Sequence, residues 1–305
     1  MSQANPAIQP YKLDLRLERR RESFSRRAWR RFRRHRLAIV SSVVFVIIVA
    51  LVIAAPLIAP IGPKQLHLTD QYARPSGTWI LGTDRMGRDV LARVLYGGRV
   101  SLSVAFVITG ITFSIGILLG AISGYGGGTV DSILQRLMEI VNSLPGLILV
   151  ISVTAIMVEP NIYITMGILG LLGWPDLYRF VRGQILSIRE EDFIMAARCL
   201  GASTGRIIVR HVLPNVVPYL TVQLAFALPR AILQETSLSF LGLGVQEPTP
   251  SWGNVVGSVT SLDNLENRPW MWLPAGLMIT LTVLSVNFIG DALRDALDPH
   301  VLIEE

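Results

Sequence analysis

The chain is poor in the residue types on which most active-site chemistry is built. It holds one cysteine, Cys199, so it can form no intrachain disulfide and offers no cysteine-rich metal site. Its four histidines, His35, His67, His211 and His300, are scattered with no i, i+4 pair, and no metal site is expected. Lysine occurs only as Lys12 and Lys64, neither in a glycine-rich context, and no G-x-x-x-x-G-K-[ST] phosphate loop is present, so this chain is not expected to hydrolyse ATP by itself. The G-x-S-x-G elbow and the H-E-x-x-H helix are absent too. Only 16% of the 305 residues are charged, against 51% hydrophobic and 26 glycines, which is too apolar for a soluble domain. Catalysis inside a membrane would need ionisable groups at mid-span, and Arg136, Glu139, Asp176, Arg230 and Glu235 all read as lying near the ends of apolar runs. A non-catalytic all-α membrane protein is the reading.

A crossing needs about 20 predominantly apolar residues. Stretches of that order run over residues 37–61, 102–122, 140–158 and 271–290. Two shorter ones, 160–175 (extendable to 181 across Asp176 and Arg179) and 213–229 (extendable to 234 across Arg230), bring the expected count to six. Before the first lies a basic tail, residues 1–36, with twelve arginines and lysines against Asp14, Glu18 and Glu22. Such a tail directly ahead of a long apolar run reads as a topology signal and a contact with anionic headgroups. It puts the amino terminus in the cytoplasm and makes nucleic acid an unneeded partner. Six crossings then bring the short tail 300–305 back to the cytoplasm. A signal-peptide core of about 7–15 residues is excluded by the length of the run.

The segment 62–99 would lie outside, yet carries Lys64, Arg74, Arg85, Arg88, Arg93 and Arg99 against Asp70, Asp84 and Asp89. An interfacial amphipathic helix capped by Thr83 or Asp84, with Val90, Leu91, Val94 and Leu95 buried, would reconcile it, Gly97 and Gly98 turning the chain into the second crossing. The other external loop, 237–270 within the core region 100–299, mixes Gly242, Gly244, Pro248, Pro250 and Gly253 with Phe240, Trp252 and Trp270. It reads as a folded cap or re-entrant segment, with a flexible linker as the alternative. Gly116 and Gly120 form a small-xxx-small pair suited to close helix packing.

Between the fourth and fifth apolar stretches, residues 182–213 form a charged island placed in the cytoplasm, where Arg182, Arg189, Arg198, Arg206 and Arg210 agree with the positive-inside tendency. Phe193, Ala196, Ala197 and Leu200 fall at i, i+3, i+4 and i+7, one apolar stripe of a helix, with Glu191, Asp192, Arg198 and Cys199 off it. Gly201 ends that helix where a left-handed residue is needed. Ser203 would cap a second short helix through Ile207 and Ile208, which Pro214 stops. Because alanines replace bulky side chains, another surface could approach closely. The island reads as a docking knob, although a soluble protein also contains amphipathic helices ending in glycine.

Three stretches resemble one family. Met195-Ala196-Ala197, then Gly201, then His211-Val212-Leu213-Pro214 match in spacing the Glu-Ala-Ala loop of ABC-importer permeases, with Met195 in place of the usual Glu and His211 at an apolar position. Residues 81–91 (LGTDRMGRDVL), 237–253 (SLSFLGLG followed by PTPSWG) and 290–299 (GDALRDALDP) are similar to the C-type permease subunit of dipeptide, oligopeptide and nickel importers. The likeness covers the chain from the first apolar run to Pro299 and omits the arginine-rich tail. It implies a six-helix type I (MetI-like) importer permease of a bacterial inner membrane, with no cofactor of its own. The implied partners are a homologous B-type permease forming a heterodimer, two cytoplasmic ATPases that bind ATP and Mg, an extracytoplasmic substrate-binding protein, and the lipid bilayer. The residues so implied to couple to the ATPase are Glu191, Asp192, Met195, Ala196, Ala197, Leu200, Gly201, Arg206, His211 and Pro214. Peptides are the implied cargo, with nickel, an opine, glutathione or an oligosaccharide as rivals on the same scaffold; a membrane scaffold acting through the basic tail is the reading from another class. Polar groups inside a bundle usually face its interior, so Asn142, Ser143, Gln223 and Glu235 are the candidates for the translocation pathway.

Overall fold

The computed structural model describes residues 24–156 and 162–297. The tail up to residue 23, the end of the expected third crossing at 157–158, and the terminal segment with Pro299 and His300 lie outside them. Among the described residues the chain is helical, with one bridge between Thr83 and Asp89 in place of any strand.

The helices run α1 (Phe24–Arg34), α2 (Arg36–Ile53), α3 (Ala55–Ile58), α4 (Val90–Gly126), α5 (Gly128–Ser143), α6 (Gly146–Ile156), α7 (Ile162–Arg189), α8 (Asp192–Cys199), α9 (Thr204–Ile207), α10 (Leu213–Phe240), α11 (Trp252–Val256), α12 (Leu262–Asn267) and α13 (Leu273–Leu297). A π-helical turn, Ile208–Val212, joins α9 to α10, making one helix from Thr204 to Phe240. The second half of the basic tail is therefore a helix, α1, packed against α13. A backbone break at His35, whose Nδ1 accepts from the amide of Ala38 at 3.3 Å, separates it from α2.

Four helices are long and apolar enough to cross a membrane: Arg36–Ile53, Val90–Gly126, Thr204–Phe240 and Leu273–Leu297. The shorter expected stretch at 213–229 is thus part of a 37-residue helix, because the π turn ahead of Pro214 absorbs the missing N–H that a regular helix would need there. The expected third stretch, 140–158, is interrupted. Pro145 holds Leu144 in an extended conformation (φ −84°, ψ 126°) and splits it into the end of α5 and the start of α6. The fourth becomes α7, 28 residues with Pro175 inside and Asp176, Arg179 and Arg182 along its length.

The amphipathic interfacial helix expected near 84–95 does not form. Asp89 caps α4, its carboxylate accepting from the amide of Leu91 at 2.9 Å, and the helix runs unbroken through Gly97 and Gly98. Those glycines do not turn the chain; they seat the 237–270 segment, since a Cβ at Gly98 would stand 2.9 Å from the Trp252 ring. Asp84 instead organises a loop, accepting from the amides of Met86 (2.8 Å) and Arg88 (3.0 Å).

The centre of the bundle is the contact of α4 with α7. A Cβ at Gly116 would come within 2.9 Å of Leu177 Cβ, and one at Gly120 within 2.8 Å of Val181 Cβ. The small-xxx-small pair therefore packs as its spacing indicates, letting two long backbones approach without a side chain between them. α10 crosses α4 and α13, and α13 closes the layer against α2.

The 237–270 segment is folded. Trp252 is fully buried, its indole Nε1 donating to the Val94 carbonyl at 3.0 Å and its backbone amide to Ser101 Oγ at 3.1 Å. Beside it Arg88 and Arg93, both with 4% side-chain exposure, converge on Glu247; Arg93 Nη2 lies 2.7 Å from Oε1, and Arg88 also pairs with Asp84 at 2.7 Å. Burial pushes the Glu247 carboxyl up, but the hydrogen bonds and charges of Arg93 and Arg88 outweigh it and hold the group below its ordinary value. The excess arginine of residues 62–99 is thus consumed in ion pairs.

Candidate functional site

Two features of the bundle are built for contact with something outside the chain. The first is the short helix α8. Glu191 stands at its N-cap (φ −70°, ψ 144°), and Asp192 supplies an acidic group to the first turn, where the helix dipole favours it. The end is a Schellman motif: the amide of Ala202 donates to Ala197 O at 3.1 Å and that of Gly201 to Arg198 O at 2.9 Å. Gly201 takes φ +76°, the left-handed conformation expected of it.

The faces of α8 differ from the expected stripe. Ile194 is fully buried, in a cluster with Tyr125, Ile185, Ile207, Val212 and Val216, and Ala197 packs against it. Phe193, Met195 and Leu200 are 44%, 53% and 88% exposed, and Ala196 is exposed too. The stripe of Phe193, Ala196 and Leu200 therefore points outward, and α8 is apolar on both sides. Arg198 pins the helix to α4, its Nε donating to the Tyr125 hydroxyl at 3.1 Å with the guanidinium 5.1 Å from the ring centre. Tyr125 was not foreseen; its only signal is its place beside Gly124 and the run Gly126 to Gly128.

Of the other residues named for coupling, Arg206 and Pro214 are exposed, and His211 is half-buried on the π turn. Ser203 holds the N-cap position of α9 without a side-chain capping bond. A cavity of about 460 Å³ opens beside α8 between Tyr125, Arg189, Glu190, Arg198 and Thr204. Below it Asp131 of α5 takes a two-pronged contact from Arg182 of α7, with Nε and Nη2 each 2.6 Å from a carboxylate oxygen, tying the helices that flank α8. The result is a rigid seat under an exposed apolar knob.

The second feature is a cavity of about 150 Å³ between α4, α7 and α10, lined by Thr109, Thr112, Asp176, Gln223, Arg230 and Gln234. It adjoins a second of about 360 Å³, with which it shares Leu169, Gly173 and Gln234. Of the four pathway candidates, only Gln223 lies here. Glu235 is 3% exposed and turned to the other side, accepting from Ser101 Oγ at 2.8 Å and Ser239 Oγ at 2.7 Å, where it ties α10 to α4 and to the Trp252 segment. Asn142 and Ser143 are exposed at the end of α5, Ser143 Oγ bonding its own helix at Ile140 O. Arg136 and Glu139 form an exposed pair on α5. Asp176 and Arg230 sit in the middles of long helices, not near the ends of spans as their apolar runs suggested: Asp176 is 14 residues from Ile162 and 13 from Arg189.

A long apolar bundle with an outward knob and a polar hollow, and with no phosphate loop, has the form of a transport subunit driven by another protein. Residues 116–303 match the family model of the binding-protein-dependent transport system inner membrane component, and residues 23–75 match that of the N-terminal TM domain of oligopeptide transport permease C. The chain belongs to this inner-membrane permease family. It is similar to the oligopeptide transport system permease protein OppC of Escherichia coli K12, 41% identical over 276 residues that cover 89% of this chain and 90% of the relative. It is similar as well to the dipeptide transport system permease protein DppC of Bacillus subtilis 168 (37% over 281 residues; 92% and 87%) and to OppC of Haemophilus influenzae (38% over 274 residues; 89% and 87%). The second match begins at residue 23, so α1 belongs to the shared architecture, contrary to the expectation that the whole arginine-rich tail stands apart. The chain is a permease subunit of an inner-membrane transport system, and its family is non-catalytic.

Proposed function

We propose that this chain forms half of the translocation pathway of an ATP-driven importer of short peptides. The observation that carries the coupling half of this reading is α8, a helix with one apolar face seated in the bundle through Ile194 and the other presented by Leu200 and Met195. The names of the relatives support peptides as cargo. In this reading the chain crosses the membrane six times, α5 with α6 and α7 supplying the third and fourth passages beside the four apolar helices. Both termini and the loop 182–213 lie in the cytoplasm, and the 237–270 segment faces the binding protein. A homologous permease packs against this one. Two ATPases carry ATP and Mg, and one of them receives α8 in a groove. Closure of the ATPases on ATP drives the bundle between inward-open and outward-open states, a population shift set by differential nucleotide affinity. Met195 occupies the position of the customary Glu, and Glu191 or Asp192, one turn earlier, supplies the negative charge.

The test is the binding protein encoded beside this chain. Purified without refolding and analysed by mass spectrometry, it should retain peptides, and with the assembled transporter in proteoliposomes it should support ATP-dependent uptake of a labelled dipeptide. A retained nickel chelate, opine, glutathione or oligosaccharide would overturn the peptide assignment and leave the permease role standing.

A further inference from the structure

Asp176 and Arg230 are the two charges that line the cavity between α4, α7 and α10. They stand on different helices, each directly after a helix-internal proline, Pro175 in α7 and Pro229 in α10. Each proline leaves the carbonyl four residues earlier, at Leu171 and at Ala225, without its helical donor. Neither charge has an ion-pair or hydrogen-bond partner among the described residues, although ten other charged groups of the chain are paired within 4.0 Å, from Asp84 with Arg88 to Asp263 with Arg268. Arg179, one turn from Asp176, is turned to Met138 Sδ at 3.5 Å and does not neutralise it. In the same cavity Thr109 is 3% exposed and its hydroxyl has no partner. Thr109 lies 19 residues from Val90 and 17 from Gly126, at the middle of α4, as Asp176 lies at the middle of α7.

Unpaired charges at mid-depth in a bundle of this kind are costly and mark a site. Their signs are opposite and their sum is zero. A metal cation would meet Asp176 but be repelled by Arg230, an anion the reverse, and a neutral sugar would leave both uncompensated. A zwitterion answers both. We infer that Asp176 and Arg230 form a substrate clamp, Asp176 receiving the α-ammonium and Arg230 the carboxylate of a free peptide, with Gln223 and Thr109 contributing neutral hydrogen bonds between them. The inference rests on the permease reading above and adds the chemical class that the pathway selects.

The test uses the whole transporter in proteoliposomes with its binding protein, which is unchanged between variants, so that its own selectivity cancels in variant-to-unaltered ratios. The probes are dialanine, its N-acetyl derivative and its amide. Asp176→Asn should raise the KM for dialanine about tenfold or more, the size of a lost charge-assisted hydrogen bond, and leave that for N-acetyl-dialanine nearly unchanged. Arg230→Gln should do the same for dialanine and spare the amide. Asp176→Glu and Arg230→Lys should recover most of the loss. Equal ratios for free and blocked peptides, or conservative variants no better than neutral ones, overturn the clamp. Where the blocked peptides are not carried at all, the conservative series alone decides. Variants that no longer co-purify with the partner subunits assign the pair to the subunit interface and overturn it too. Failure of the unaltered complex to import any of the three peptides sinks the peptide reading and the clamp with it.

Discussion

Leu200 and Ile194 share one short helix and have opposite exposures, so truncating each should produce a different failure. Leu200 is 88% exposed and Ile194 is fully buried. If α8 docks into a groove on the ATPase, Leu200 loses its water there. Full burial of a leucine side chain is worth about 1.5–3 kcal/mol, of which alanine retains only the first methyl group. Leu200→Ala should therefore weaken ATPase association by about 1.5–2.5 kcal/mol, or about 10–70-fold in Kd. The isolated subunit should keep its melting temperature, since exposed positions usually shift stability by no more than about 0.5 kcal/mol. Ile194→Ala removes buried atoms from the cluster of Tyr125, Ile185, Ile207 and Val212, at a cost of about 2–5 kcal/mol. It should lower the melting temperature as well as the affinity.

The assay is a titration of detergent-solubilised permease heterodimer with the ATPase, alongside thermal unfolding of each variant. Leu200→Ala with unchanged Kd would place the joint elsewhere and remove the main physical support for the coupling role. Equal loss of melting temperature in the two variants would show Leu200 to be core, not surface.

Gly201 has open space around it, so a substituent there meets no neighbour and acts through its φ of +76° alone. Gly201→Ala should cost about 1–2 kcal/mol and Gly201→Val more, with ATP-driven uptake falling in that order; full uptake in the valine variant would count against a fixed bend after α8. At Gly120 the problem is room: a valine would overlap Val181 and force α4 from α7, so Gly120→Val should lose about 1–3 kcal/mol and lower the yield of folded subunit, which size-exclusion chromatography reads directly. Because Glu247 is held below its ordinary carboxyl value, its contribution to stability is complete above pH about 4.5 and is lost as the pH falls through its lowered value. Melting temperature should fall in acid, and Glu247→Gln should flatten that fall while costing about 1–3 kcal/mol at neutral pH, less than for a fully enclosed pair because Glu247 is 41% exposed. Deleting residues 1–22, ahead of α1, should reduce membrane insertion and spare uptake in the molecules that insert, as immunoblotting and transport together would show; abolished uptake per inserted molecule would make the segment part of the machine.

Local backbone chemistry was legible in the sequence, and the direction each face looks was not. Gly201 ends its helix, and Gly116 with Gly120 packs α4 on α7, because both are consequences of a missing Cβ that hold wherever the helix lies. Periodicity located the apolar stripe of α8 but could not say whether it points in or out: in a helix that docks on both sides, Ile194 and Leu200 are equally apolar and only tertiary packing ranks them. The same limit misplaced the membrane-depth charges. Counting uninterrupted apolar residues stops at Asp176 and at Arg230, and so makes each look like the edge of a span when it is the middle of one. Helices 28 to 37 residues long can carry a charge at mid-length because α4, α7 and α10 shelter it around a shared polar hollow. An interruption in an apolar run is therefore ambiguous between a boundary and a site. The proline placed directly before each of these two charges is the local sign that separates them from ordinary span ends, since a helix that continues past an internal proline must be held by neighbours on both sides of the break.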